Sequence, residues 1–488
     1  MVAEFATDLI ENRLWLDEQE PRTLSTPASD RGSRQLGRRA VVIGAGMGGL
    51  SAAGALAKYF ERVEILERDR LNGSAGSRTG TPQDRHPHGL LAGGLQALDQ
   101  IFPGYRRDLA AAGAVPVAFP REVQFERPDV GVMPKRDFGI SMLCTTRPLI
   151  ERVLRRRAEA VPNVTLRPAS RVFAIVPTAG GAGASGVHFI NGSGCSETLD
   201  TDLVVDASGR GAPTLTLLDA LGWDRPQMTE IGVDISYATA VVEIPHDAPA
   251  EWKLVLTLPD PPHVALHSVL VPTEDGRWII AIADHSARTW IETWDAFLKA
   301  SRSLITPTVH NALRYAQPPE GIRHYRFPVS TWKHFERLPR LPRGVLPIAD
   351  ALCRFNPIHA QGMSSAAKQA RLLDDVLSRA VAEPDPIAHV QAGFMAEVAS
   401  VLETPWTMSN SADLAFPQTR GERPDNFAEA REFEAALFRA AVADPIVHRA
   451  MLEVAQLLEP QSLLQEPDIM RRIEAASRTG AVVTQAAA

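Results

Sequence analysis

The stretch RRAVVIGAGMGGLSAAGALAKYFERVEILERD, residues 38–69, decides the fold. An apolar strand runs into glycines, a small-residue helix follows, and a second strand, VEIL, closes the unit within about 30 residues, the size of a βαβ motif. Gly44, Gly46 and Gly49 form GxGxxG between strand and helix. The first glycine permits a tight turn, the second lets a pyrophosphate approach the backbone, and the third lets the helix pack closely on the strand. Glu67 ends the second strand, where a carboxylate accepts hydrogen bonds from both ribose hydroxyls. This fingerprint serves NAD and FAD alike, so the choice falls to more distant segments.

One of these is GVLPIADALCRFNPIHAQGMSSAAKQA, residues 344–370. An apolar strand is expected to end at Asp350, a loop with Asn356 and Pro357 follows, and Gly362 opens a helix. A carboxylate at a strand end accepts from sugar hydroxyls, and a helix start turns free N–H groups and partial positive charge toward what precedes it. A reduced flavin ring carries negative charge near N1 and O2, so the loop points to a flavin. A third strand-turn, LVVDASGRG, ends at Asp206 and Gly209.

The 488 residues allow two or three domains around a sizeable core. A balance of 51 basic against 58 acidic residues, net charge -7, makes nucleic acid an improbable partner. Cys144, Cys195 and Cys353 are widely spaced without a CxxC pair, which argues against disulfides or a metal site and fits a reducing cytoplasm. Cys353 has no activating neighbour in sequence and reads as packing. No run of about 18 apolar residues exists, and the first 20 residues are rich in Asp and Glu, so neither a membrane span nor a secretory signal is expected.

Residues 1–37 read as a flexible leader. A cofactor domain is expected in three pieces, 38–125, 147–228 and 336–385, with substrate-domain strands at 126–146 and a mainly antiparallel sheet at 229–335. Residues 386–488 form a helical C-terminal region. A helix is expected from Arg147 to Glu159, with Pro148 just inside its start. The segments 166–178 and 186–192 form a hairpin, and TEDG at 273–276 turns another. Fold class is therefore α/β, a discontinuous Rossmann-like domain with an inserted sheet domain and C-terminal helices that cap a pocket, pair subunits or rest on a membrane surface.

The order of GxGxxG…Glu67, LVVDASGRG and the Asp350 loop around an inserted sheet resembles the FAD-dependent aromatic hydroxylase and squalene epoxidase superfamily over about residues 39–400. Within it, TPQDRHPHGLLAGGLQALDQIFPG, TTRPLIE, DLVVDASGRGAP, EDGRWIIAI and FNPIHAQGMSSAA look most like bacterial FAD-dependent epoxidases of polyether biosynthesis. The resemblance implies that Gly44, Gly46, Gly49, Glu67 and Arg68 hold the ADP half of FAD, with Arg147 near the pyrophosphate or ribityl. It assigns Asp206 and Asp350 to the cofactor as well, Asp350 to the ribityl chain. Pro357, Gly362 and Met363 would lie at the pyrimidine edge of the ring. Arg85, His86 and His88 fall in the loop that family members bring to the flavin, making Arg85 and His88 the candidates near the ring. DASGRGAPT departs from the usual Asp-Gly…Arg motif, and Ala349 stands where the family generally has Gly. The WxWxIP segment of flavin halogenases is missing.

By the same resemblance the reaction is monooxygenation, insertion of one atom of O2 through a flavin C4a-hydroperoxide into an apolar natural-product intermediate. Epoxidation of an alkene or polyene leads; aromatic (phenol) hydroxylation and prenyl-chain reduction are the alternatives. Electrons come from NAD(P)H or a partner flavin reductase. No general-base motif is readable, which favours the alkene over a phenol. Val233, Ile235, Tyr237 and Val241, with His263, Leu266 and Val269, are expected to line the substrate pocket. The sequence leaves the oligomeric state open.

Overall fold

The computed structural model describes residues 35–71, 78, 80–245, 248, 250–286 and 290–486, so residues 1–34 of the expected leader lie outside it. The cofactor domain is built from β1 (Gly37–Ile43), α1 (Met47–Leu56), β2 (Phe60–Leu66), α2 (Ala92–Ile101), α3 (Arg147–Glu159), β3 (Val164–Arg167), β4 (Leu203–Asp206), β5 (Val345–Pro347) and α4 (Gly362–Ala380). Its five strands are all parallel, in the order β5-β4-β1-β2-β3. Parallel strands are covered on both faces, hence the unbroken apolar runs of β1 and β4. On one face Val42, Ile65, Val205 and Leu346 pack with Leu50, Leu373 and Phe394 of the helices. On the other, Val41, Ile43 and Val204 meet Val187 and Phe189 of the hairpin read from the sequence, which gains Ser196–Asp200 as a third strand.

The inserted sheet has eight strands, in the spatial order 353–354, 323–333, 228–242, 278–284, 266–272, 254–257, 123–127, 131–132. Its pairings are antiparallel except where 254–257 meets 123–127. Of the segment 126–146, Gly131–Val132 joins this sheet's edge, whereas Ile140–Cys144 pairs with Gly89–Leu90 and Val115–Phe119 in a separate three-stranded sheet. Period-2 alternation divides the large sheet's residues between two faces. Ala238, Ala240, Leu270, Ile280 and Ile282 point to the short helices Trp294–Ser301 and Thr308–Leu313. Ile235, Tyr237 and Ala283 point the other way, toward Leu414 and Ile358. Leu266 packs with the first group and His263 is exposed in a turn, so these two expected lining residues lie off the second face.

The C-terminal region consists of α5 (Pro386–Leu414), α6 (Phe427–Ala443), α7 (Pro445–Ala455) and α8 (Pro467–Ala486). The first half of α5 belongs to the cofactor-domain core and its end, Leu414, reaches the large sheet. Leu437, Val447, Met451 and Ile469 pack against Val117, Met142 and Ile279 of the small and large sheets. Within one chain these helices close the seam between the sheets and the cofactor domain. None of the described helices is long and apolar enough to cross a membrane.

Ala349 sits not on a strand but in the turn Ala349–Ala351, at φ 58°, in the left-handed region. Its methyl is only 2.5 Å from where a Cβ on Gly48 of α1 would stand. A left-handed alanine costs roughly 1–2 kcal/mol, partly offset by the greater unfolded-state freedom of glycine, about 0.5–1 kcal/mol. Ala349→Gly is therefore expected to raise the unfolding free energy by about 0.5–1 kcal/mol in a denaturant titration. Gly48→Ala should lower it by about 1–3 kcal/mol, and Ala349→Gly should rescue part of that loss.

Candidate dinucleotide and substrate site

The glycine fingerprint divides into structural and open positions. Gly44 has φ 98°, and a Cβ there would lie 2.7 Å from the Ala207 carbonyl oxygen. A Cβ on Gly49 would fall 1.9 Å from the Gly44 oxygen, so Gly44 lets the end of β1 close on the turn after β4 and Gly49 lets α1 close on the end of β1. Gly46 differs. Its added Cβ would find only Arg78 Nη2, at 3.9 Å, leaving the backbone at the start of α1 approachable. Glu67 is buried at the end of β2 and accepts from Ala45 N at 2.6 Å and Asp69 N at 2.9 Å.

Arg78 stands at this turn, 3.4 Å from Glu67, 3.2 Å from Asp69 and 2.9 Å from Glu151. Arg147, the first residue of α3, bonds Glu151 at 2.9 Å. Although burial works the other way, Arg147 and Arg78 hold the Glu151 carboxyl below its ordinary value. A cavity of about 430 Å³ adjoins the pair, lined by Leu71 beyond β2, by Leu166 of β3 and Pro168 just past it, and by Arg152, Arg155 and Arg156 of α3. Apolar side chains beside cationic ones suit the adenosine and phosphate end of a dinucleotide. The start of α3 is tied to the inserted sheet, because Glu274 of the TEDG turn accepts from Thr145 Oγ1 at 2.7 Å and Thr146 N at 2.9 Å.

The second end of the site is the 349–363 segment. Asp350 makes no hydrogen bond among the described residues. Burial pushes its carboxyl up from the ordinary value, against the pull of Arg354, Arg147 and Lys333. A carboxylate in reach of Arg147 but without a protein donor fits the ribityl hydroxyls expected of it. Gly362 opens α4 with no atom within 4 Å of an added Cβ, and Met363 behind it is buried. Pro357 is half-buried in the turn Pro357–His359. Gly46, Arg147, Asp350 and Gly362 thus leave backbone, cation, carboxylate and helix start available, and these residues fit the FAD expected from the sequence.

Other candidates land elsewhere. Asp206 is fully buried, accepting from Ser208 N at 3.0 Å, Thr214 N at 3.1 Å and Thr214 Oγ1 at 2.6 Å. Within the chain this carboxylate ties the Ser208 turn to the start of the helix Ala212–Ala220, with one bond on Oδ1 and two on Oδ2. Arg68 and Arg85 are exposed. His88 bonds the His86 carbonyl through Nδ1 at 2.7 Å, and burial, aided by nearby Arg147, pushes it down to about 3. Cys353 is buried, and burial holds its thiol well above the ordinary value, in keeping with a packing role.

On the inner face of the large sheet one cross-strand row runs His267, Ala283, Tyr237, Tyr325. His86 docks on it, with Nδ1 2.7 Å from Thr239 Oγ1 and its ring 5.3 Å from Tyr325 and 5.9 Å from Tyr237. The Tyr237 hydroxyl donates to Asn356 Oδ1 at 2.6 Å, and Asn356 Nδ2 donates to both oxygens of Asp413 at 2.9 and 3.1 Å. His359 Nε2 lies 3.2 Å from the same carboxylate. Asn356 and Asp413 are wholly buried. Sequence reasoning passed over Arg78, His267, His285 and Asp413, which belong to no motif, and gave no role to Glu151, which closes TTRPLIE; the Arg147–Glu151 spacing of i,i+4 on a helix was the one legible signal.

Burial pushes both His86 and His285 down to about 4, so both are neutral in the folded protein at neutral pH. In the unfolded chain they charge near pH 6.5, so the stabilisation is complete above that pH and is lost as pH falls toward 4. At pH 5 each withholds about 2 kcal/mol. His86→Asn is expected to shrink the difference in unfolding free energy between pH 7.5 and pH 5 by that amount, measured by urea titration at the two pH values.

Residues 42–95 match the family model described as an NAD(P)-binding Rossmann-like domain. Protein Rv3254 of Mycobacterium tuberculosis is 30% identical over 455 residues, 88% of this chain and 91% of that protein. PqsL of Pseudomonas aeruginosa, described as a probable FAD-dependent monooxygenase, superposes with TM-score 0.58 at 15% identity, covering 81% of this chain and 100% of its own. A flavoprotein/dehydrogenase of Cytophaga hutchinsonii gives TM-score 0.65 at 14% identity, over 93% of this chain and 100% of its own. The chain belongs to the same family as protein Rv3254, and its fold is that of the FAD-dependent monooxygenases.

Proposed function

We propose that the protein is an FAD-dependent monooxygenase that inserts one oxygen atom of O2 into an apolar natural-product intermediate. The observation that carries this reading is the join between loop and sheet. The loop that opens α4, with Asp350 free of donors among the described residues and Gly362 open, is hydrogen-bonded through Asn356 to Tyr237 in the middle of an aromatic row. A cofactor edge held at that loop faces a wall of rings on a sheet. Bound reduced FAD supplies the activation of O2; the chain binds and orients the substrate, excludes water and positions donors. Gly44, Gly46, Gly49, Glu67, Arg147, Asp350, Gly362 and Met363 would hold FAD, with electrons from NAD(P)H or a separate flavin reductase.

Epoxidation of an electron-rich alkene is the reading that the sequence favoured, and Ile235, Tyr237 and Ala283 supply an apolar surface for it. Aromatic hydroxylation is the second reading, and a specific observation favours it: two buried histidines, His267 and His285, stack on each other at the end of the aromatic row. The purified protein should carry one FAD. Gly46→Val and Asp350→Ala should both lose most of it, at least tenfold in affinity, roughly 1.4 kcal/mol or more. Because a side chain at Gly46 meets open space, that variant should keep the melting temperature of the apoprotein. Chemically reduced enzyme under 18O2, offered a panel of polyenes and phenols, should place one 18O in the product; a colourless protein that cannot be reconstituted with FAD would falsify the reading.

A further inference from the structure

His267 and His285, each 4% exposed, are imidazoles without a full set of protein partners. The His267 imidazole makes no hydrogen bond among the described residues, and the buried Nε2 of His285 has none either. Their rings stack at 6.2 Å and 10°, and Phe416 covers the other side of His285 at 4.3 Å. A buried polar atom left unpaired keeps its desolvation cost, and in a native fold such an atom marks a place where something other than the protein supplies the bond. His267 belongs to the row with Tyr237 and Tyr325, on the face that meets the cofactor loop.

The surroundings give His285 a direction. Its Nδ1 lies 3.9 Å from Asp413 Oδ1, the carboxylate that also receives Asn356 and His359. A carboxylate on that side favours the tautomer with the proton on Nδ1, leaving the lone pair at Nε2. The charged and titratable groups around the ring are Asp413 from α5, His359 from the cofactor loop, and Asp284 and His267 from the sheet. Burial keeps the imidazole neutral at pH 7, with Asp413 and Asp284 pulling the other way, so it is an acceptor there.

Resting on the flavin reading above, we propose that His285, oriented by Asp413 and flanked by His267, is the acid–base group of the substrate site. The substrate it fits carries an acidic hydroxyl on an electron-rich C=C, as a phenol or an enol does. The O–H donates to Nε2, and as the adjacent C=C carbon bonds to the incoming oxygen the hydroxyl becomes strongly acidic: its O–H bond breaks, its proton passes to Nε2, and its electron pair forms the C=O. The imidazolium so formed is compensated by Asp413. His285 is the catalytic residue in this scheme, and Asp413 positions it.

Binding of 2-naphthol and 2-methoxynaphthalene, followed by the fluorescence of the probes themselves, tests this without turnover. The FAD-loaded protein should bind the naphthol about tenfold more tightly than the ether, which cannot donate. His285→Gln should bring the two within about twofold, with the ether affinity unchanged. His267→Gln, which touches none of the Asp413 bonds, is the second variant should the first misfold, and it should narrow the ratio too. Equal binding of the two probes by the wild type, binding of neither, or a ratio that survives both substitutions overturns the proposal. A protein that lacks FAD yet keeps its preference for the naphthol would defeat the flavin reading alone.

Discussion

Three parts of the chain meet at one buried carboxylate. Asp413 comes from the last turn of α5, Asn356 and His359 from the loop that opens α4, and Tyr237, through Asn356, from the centre of the large sheet. Among the described residues no Lys or Arg pairs with this carboxylate. A wholly buried carboxylate is tolerable only when its oxygens are saturated with donors, and removing one donor exposes the remaining charge to its full desolvation cost, of order 3 kcal/mol. The loop is therefore held against the sheet by a penalty for moving as much as by attraction. A helix start intended for a ring and a sheet face intended for a substrate gain a fixed spacing from it.

The cofactor end follows a different constraint, backbone against backbone. Gly44 lets the end of β1 approach Ala207 beyond β4, Gly49 lets α1 approach Gly44, and Gly48 gives way to the Ala349 methyl. Gly46 alone faces open space. The same motif thus contains two kinds of glycine, those that permit the fold and one that leaves room for a ligand. Around that room the charges are arranged in alternation: Arg78 and Arg147 stand between Glu67, Asp69 and Glu151. Mutual compensation lets several ionised groups remain in a partly buried site.

The local parts of the molecule were legible before any coordinates. The βαβ unit, the 147–159 helix, the hairpins and the α/β return near residue 344 each follow from short-range rules of apolar period, turn residue and cap. The C-terminal helices were legible as helices but not in their docking, because their contacts to Val117, Met142 and Ile279 join residues hundreds of positions apart. Asp206 was legible as a strand-end carboxylate before a glycine turn, but its partner was not: a threonine eight residues later donates twice to Oδ2.

The sequence by itself determined a parallel, glycine-hinged dinucleotide fold and the places where Gly46, Arg147, Asp350 and Gly362 would stand, since each depends on neighbours within a few residues. Only the tertiary structure decided what faces them. The absence of a readable base had favoured an alkene, but His267, His285, His359 and Asp413 are drawn together from a strand, a turn past a strand end, a loop and a helix. No period or spacing records that convergence, because side chains far apart in sequence meet through sheet register and helix docking.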